Sequence, residues 1–201
     1  IISICKNLNK KSYFIIDNWD NLSTKMIFLK KPDFLGVWGE QTAYHAKKIH
    51  KFKQHQIFKI GSSRFDLYFK DRNKNLKNYF NFKYILFLGS SGSWDEEGCL
   101  DILDRTISRN PKIFKNVKIV YRFHPFRQRK TIVNQNWKNV IIDPKIKENF
   151  KKKGTWPELN YYSSLLSNCE FCVGGLTSML IESTIFYKKY LAISYDDGIS
   201  L

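Results

Sequence analysis

The chain has 201 residues, 43% apolar and 16% aromatic, enough for a packed core in one large domain or two small ones. A formal charge of +16 favours an anionic partner: nucleic acid, an acidic membrane surface or a phosphorylated substrate. The lysines are nevertheless scattered, and their densest clusters, Lys47-Lys48 and Lys151 to Lys153, fall in expected loops or on solvated helix faces.

No apolar stretch approaches bilayer-spanning length and no secretory pattern opens the chain. The expected location is therefore cytoplasmic, with the charge compatible with peripheral contact at the anionic inner face of a membrane; the opening Ile suggests a piece of a longer protein.

Residues 12–17 predict a strand, and the polar run from Asp17 to Ser23 a loop at its carboxyl end. Such loops line the ligand crevice of open α/β sheets, so Asp17, Asn18, Trp19 and Asp20 are candidates to face a substrate; an Asx-turn cluster is the alternative and is preferred for Asn21 and Ser23. A second strand is expected over 33–38, then a helix from Gly39 to about Lys51 with Ala43, Ala46 and Ile49 inward. His45 and His50 on that helix lack the i,i+4 spacing of a metal pair and read as surface or interface residues. A third strand over 56–60 completes a half-domain, and the polar, weakly periodic segment 67–81 suits an inter-domain connection.

The second half opens on an apolar strand, 84–88, followed by Gly89-Ser90-Ser91-Gly92-Ser93 and an amphipathic helix over 95–109. That loop is either an anion site or a capping segment, since Asp95, Glu96 and Glu97 already complement the helix dipole. Strand 117–121 ends in Arg122-Phe-His-Pro125, and the spacing of Arg122 and His124 puts both on one side. An arginine offers a bidentate phosphate clamp and a histidine a donor or second charge, while a core histidine is the alternative. A short strand over 140–142, a lysine-rich surface excursion over 144–154 and a helix over 159–167 follow. Cys169-Glu-Phe-Cys172 has the C-x-x-C form, but with no second Cys/His pair nearby it reads as buried strand thiols, and no metal site is expected.

The stretch from Phe171 to Ser183 organises the rest. Phe171 to Val173 is a short buried strand, Gly174-Gly175 breaks it, and Thr177-Ser178 caps a helix running to about Tyr187 with Leu180, Ile181 and Ile185 on its apolar face. Glycines admit a ligand close to the backbone and hydroxyls add donors, which suits a phosphate or diphosphate, with Glu182 placed to accept hydrogen bonds from a ribose diol; an ordinary βα connection is the alternative. A last strand over 191–194 leads to a loop over 195–198.

In this order, Gly89-Ser-Ser-Gly-Ser93, Arg122-Phe-His-Pro125 and Gly174-Gly-Leu-Thr-Ser-Met-Leu-Ile-Glu182 resemble the donor half of GT-B-type glycosyltransferases. More narrowly, they resemble the CDP-glycerol glycerophosphotransferases of teichoic acid synthesis and the non-hydrolysing UDP-N-acetylglucosamine 2-epimerases. The resemblance implies an α/β fold of two Rossmann-like doubly wound domains, the N-terminal one incomplete: 1–66 on the acceptor side, 67–81 connecting, and 82–201 binding a nucleotide donor. It puts Thr177 and Ser178, with the amide of Gly175, on the donor pyrophosphate; Gly89, Ser90, Ser91 and Gly174 are further donor-binding candidates. It puts Glu182 on the ribose and Arg122 with His124 near the phosphates or base. Asp17, Asp20, Glu40 and His124 are the candidate catalytic residues.

The implied activity is transfer of a sugar or glycerophosphate from a nucleotide-activated donor to a glycan or lipid-linked acceptor, with no metal or other cofactor. Epimerase-like chemistry is the alternative. The epimerase pattern departs here, because its Asp-Ser-Gly-Gly with paired glutamates is replaced by Gly-Gly-Leu-Thr-Ser with one. The transferases' Gly-Lys-Pro before the last strand is replaced by Lys188-Lys-Tyr190. From other classes, a basic nucleic-acid-binding module would need a clustered basic face that the sequence does not show, and a non-catalytic assembly partner remains open.

Overall fold

A computed structural model, which describes residues 1–91, 94–124, 136–146 and 159–194, places its strands in two all-parallel sheets. They belong to two units, Ile1–Asp66 and Leu67–Leu201.

In the first unit, helix α1 (Ile2–Asn7) buries none of its residues and precedes a three-stranded sheet of order β1-β2-β3, formed by β1 (Tyr13–Ile15), β2 (Phe34–Val37) and β3 (Ile57–Lys59). Asp33 aligns the first two strands, because its carboxylate accepts from both the N–H and the hydroxyl of Ser12 at 2.8 Å. These bonds to the charged form hold the Asp33 carboxyl below its ordinary value. Helix α2 (Glu40–Lys48) starts where the Thr42 hydroxyl accepts the Gly39 N–H at 3.0 Å, and it buries Thr42, Ala43 and Ala46. Its contacts join Ile16, Leu22, Leu35, Val37, Phe52 and Ile57 in one core.

Two sequence expectations change here. Ile49 is half exposed, because α2 stops at Lys48 and Lys51 adopts a left-handed φ of 55°, so that Phe52 turns back and occupies the inward place. His50 is packed rather than presented: its Nε2 bonds the Leu22 carbonyl at 2.8 Å and its ring meets Phe28 edge-on.

Segment 67–81 is not wholly a connection. Helix α3 (Asp66–Asp71) buries Tyr68 and Asp71, and the Tyr68 ring packs edge-on against Phe186. The second unit then runs through β4 (Lys83–Leu88), α4 (Glu96–Arg109), β5 (Val117–Arg122), β6 (Val140–Ile142), α5 (Leu159–Asn168), β7 (Phe171–Gly174), α6 (Met179–Ile185) and β8 (Tyr190–Ala192). The sheet order is β6-β5-β4-β7-β8. Near-continuous apolar strands are what a parallel sheet covered on both faces requires. Ile85, Phe87, Ile119, Tyr121 and Val173 turn to Cys99, Leu100 and Ile107 of α4. The alternate residues turn to the α5 side, where the Tyr84 hydroxyl donates to the Leu165 carbonyl at 2.8 Å and Arg122 meets Tyr162.

Helix α6 differs from expectation in its buried face. It begins at Met179 and buries Met179, Glu182, Ser183 and Ile185, with Phe186 buried just beyond its end; Ile185 is inward as expected, whereas Leu180 and Ile181 are only partly buried. The lysine-rich segment beyond Ile146, the residues from Pro125 to Gln135 and the loop over 195–198 lie outside the described residues.

Candidate functional site

Strand order β6-β5-β4-β7-β8 winds outward in both directions from β4, so the topological switch point lies between β4 and β7. In open α/β sheets ligands settle outside the carboxyl ends of the strands at this point. Leu88 pairs with Gly174 in register, and the glycine-rich loops after β4 and after β7 are therefore neighbours there. The same register sets Leu88 beside Arg122 and Gly174 beside Ala192, bringing the carboxyl ends of β5 and β8 alongside.

The loop after β4 is held from within. Glu96, wholly buried at the start of α4, accepts the Ser90 N–H at 2.9 Å through one oxygen and the Tyr121 hydroxyl through the other. Gly89 donates to the Arg122 carbonyl at 2.8 Å. The amides of Gly89 and Ser90 are thus taken by the protein, while Ser90 Oγ accepts the Trp94 indole N–H at 2.7 Å and Ser91 is exposed. Gly92 and Ser93 are outside the described residues.

Across the switch point, Gly174 ends β7, and the Ile193 N–H donates to its carbonyl at 2.9 Å. The Tyr190 hydroxyl, pushed up to about 12 by burial first, donates to the Gly175 carbonyl at 2.7 Å and fixes that peptide. Thr177 Oγ1 accepts the Met179 N–H at 3.3 Å, whereas Ser178 makes no side-chain cap. Ser90, Trp94, Gly175, Leu176, Ile193 and Ser194 line a concavity of about 250 Å³ between these loops. The structure therefore brings Ser90 and Gly175 to one surface. The sequence reading missed Trp94, Ile193 and Ser194 there, although an aromatic directly after a glycine-serine loop was a usable signal.

The end of β5 differs from the expected clamp. Arg122 is only 4% exposed, and its guanidinium lies over the Tyr162 ring, 4.1 Å from the centroid. Among the described residues, Arg122 Nε has no hydrogen-bond partner. Arg122 points to the α5 side because alternation along β5 sends Tyr121 to the α4 side. Asp143, beyond β6, accepts from Tyr161 Oη and from the Lys145 N–H at 3.0 Å. Burial raises the Asp143 carboxyl above the usual range, against those two bonds and the Arg122 charge, which lower it. Burial likewise raises Tyr162, with Arg122 opposing and the charges of Asp143 and Glu182 adding. Glu182 is 2% exposed and near enough for its charge to act on Tyr162. His124 is half-buried, and its backbone N lies about 3.0 Å from where a Gly89 Cβ would stand.

In the first unit, Asp17 is exposed, Asp20 pairs with Lys25 at 2.6 Å and Glu40 pairs with Lys59. The Ser23 hydroxyl donates to the Asp20 carbonyl at 3.0 Å, and no side chain caps the turn of helix that starts at Asn21. Cys169 and Cys172 are buried free thiols with sulfurs 3.7 Å apart. Among the described residues, no group of three His, Cys, Asp or Glu is placed to hold a metal ion, and no helix is long and apolar enough to cross a membrane.

A parallel, doubly wound sheet with its glycine loops at the switch point makes this a Rossmann-like α/β protein. Its relations in shape are found among solved structures, since no family model and no curated protein sequence matches the chain. One similar structure is the S. aureus MnaA-UDP co-structure, with a TM-score of 0.56 and 12% identity over 98% of this chain and 53% of that one. Another is the wall teichoic acid polymerase TagF, with a TM-score of 0.50 and 14% identity over 82% of this chain and 40% of that one. At these identities the likeness is one of fold, and the chain spans about half the length of the first and less of the second.

Proposed function

We propose that the chain is the donor-handling part of a GT-B-type transferase of surface-polymer synthesis, taking a sugar or glycerophosphate from a nucleotide-activated donor. The observation that carries this reading is the concavity at the β4/β7 switch point, where two glycine- and hydroxyl-bearing loops meet. Likeness in fold to a UDP-bound structure and to a teichoic acid polymerase supports it. On this reading 1–66 handles the acceptor and the unit after it the donor.

Transfer breaks the bond between the donated group and a phosphate oxygen, and the negative charge left on the nucleotide must be stabilised while a base takes the acceptor's proton. The hydroxyls of Ser90, Ser91, Thr177 and Ser178 supply donors toward that charge. The buried Arg122 acts at longer range, since its guanidinium is packed on Tyr162. His124, at the end of β5, has its backbone beside Gly89 and is the donor-side candidate. Asp17, Asp20 and Glu40 are the acceptor-side candidates for the base, and the last two would first have to leave their lysine partners. The acceptor is a glycan or lipid-linked chain, reached with peripheral contact to an anionic membrane.

Thermal unfolding in the presence of UDP, CDP, GDP, CMP or TDP tests the reading. A nucleotide at a hundred times its Kd stabilises by about 2.7 kcal/mol, a rise of several degrees in Tm. One diphosphate should give that rise, with UDP first to try. No shift with any of the five at millimolar concentration would refute a nucleotide site.

A further inference from the structure

Because the strands of the second sheet are parallel, the segments that enter them gather at its amino edge, opposite the glycine loops. Two of these segments meet there. Ile113, Phe114, Phe171 and Tyr187, with Lys188 and Lys189, line an open concavity of about 460 Å³. Ile113 is 76% exposed and Tyr187 70%. Lysines bracket both: Lys112-Ile113-Phe114-Lys115 enters β5, where Lys118 follows, and Tyr187-Lys188-Lys189 enters β8. The carboxylate on this wall, Glu170, is paired with Lys83 at 3.6 Å, so the free charge of the rim is positive.

Tyr187 occupies its place at a local cost. Helix α6 ends with the Lys188 N–H on the Ser183 carbonyl and the Tyr187 N–H on the Thr184 carbonyl, both at 3.0 Å, and Tyr187 has a left-handed φ of 57°. Glycine or asparagine is the usual residue at this position of a helix end, and tyrosine adopts the conformation rarely. With most of the ring in solvent, burial within the described residues offsets little of that cost.

Apolar tips between lysines suit a lipid surface, where an aliphatic group enters the acyl boundary, tyrosine sits at headgroup level and lysine stems extend to the phosphates. They suit nucleic acid less well. Single strands stack bases on open aromatic faces, but the Arg72 guanidinium lies over the Tyr187 ring at 5.5 Å and the Lys118 ammonium over Phe82 at 5.8 Å. An exposed isoleucine gains nothing from a phosphate backbone.

We propose that the amino edge of the second sheet docks on an anionic lipid surface, with Ile113 and Tyr187 entering the headgroup region and the lysines of the two segments facing lipid phosphates. Docking by this edge turns the loops after β4 and β7 toward solvent. The inference rests on the membrane contact in the reading above, names the face that makes it, and does not depend on the nucleotide site.

The experiment sediments the whole chain with vesicles of phosphatidylcholine, alone or mixed equally with phosphatidylglycerol, at about 0.1 M salt. The parent partitions at least about tenfold more strongly onto the anionic vesicles. Ile113→Ser with Tyr187→Gly lowers that binding at least about fivefold and leaves Tm unchanged or higher, since glycine suits the left-handed position. Glutamine at Lys112, Lys115 and Lys189 lowers it at least about twentyfold, each lysine contributing about fivefold. Equal loss on changing Lys47, Lys48 and Lys53 of the first unit instead overturns the proposal, because net charge and not this face would then be responsible. Anionic binding that ignores the Ile113 and Tyr187 changes also overturns it, as does tighter binding of duplex DNA than of vesicles. The Tm rise with UDP or CDP is read on the same protein. No vesicle binding with that rise intact overturns this proposal alone, whereas vesicle binding by this edge without the rise supports it and removes the nucleotide site.

Discussion

Replacing Glu96 by alanine should loosen the second unit more than any surface change. The carboxylate is wholly buried and accepts the Ser90 N–H at 2.9 Å and the Tyr121 hydroxyl, so one side chain ties the loop after β4, the start of α4 and strand β5. Hydrogen bonds to a charged group contribute about 1.5–3 kcal/mol each, and alanine leaves two buried donors unpaired, a gross loss of about 3–6 kcal/mol. Relief of the cost of burying the carboxylate offsets part of this. A net destabilisation of about 3 kcal/mol is expected, a large share of the roughly 5–15 kcal/mol typical of a domain. Glutamine keeps the shape, still accepts the Ser90 N–H and can donate to the Tyr121 oxygen, so Glu96→Gln should cost only about 1 kcal/mol. Urea titration followed by hydrogen exchange of peptides from 83–122 reads the second unit separately, and faster exchange at Ser90 should appear in the alanine variant first. Destabilisation of Glu96→Ala by less than about 1 kcal/mol would refute the view that this carboxylate holds the loop.

Gly174→Ala forces a Cβ against the Leu88 carbonyl oxygen, a backbone atom of the central strand, and should cost about 1–3 kcal/mol in chemical denaturation. Gly175→Ala should unfold at the denaturant concentration of the parent within error, and equal losses for the two would show that the strand-end geometry is wrong. For the first unit, Asp33 has a folded pKa held below its ordinary 3.8 by the two bonds from Ser12. A depressed folded pKa contributes stability that is present above the unfolded value and is lost as pH falls through the folded one. The stability of residues 1–66 should therefore drop as pH is lowered below about 4, and Asp33→Asn should flatten that slope; an unchanged slope would remove Asp33 as its cause.

What the sequence by itself determined is the order and type of the described elements from β4 onward and the placing of the loops after β4 and β7. Tyr84 to Leu88 and Phe171 to Val173 are apolar runs cut by glycine, and Asp95 heads a helix of amphipathic period, so strand, loop and helix follow from neighbours in the chain. Reading Gly89, Ser90 and Gly175 as one site needed only the expectation that such loops gather at strand carboxyl ends. Tertiary structure alone decided the rest. Ile85 pairs with Phe171 and Leu88 with Gly174, across a span of chain that no local rule reaches, and this adjacency arises because the crossover connections reverse direction at β4. The same non-local contacts turn Glu96 inward onto Ser90 and Tyr121, pack Arg122 on Tyr162 and bury Glu182. They also separate Gly174, crowded by the Leu88 carbonyl, from Gly175, where a Cβ would meet the edge of Trp94 at ordinary contact distance. Both glycines read alike in the sequence, because a breaker signal records that a side chain is absent and not which atoms stand where it would have been.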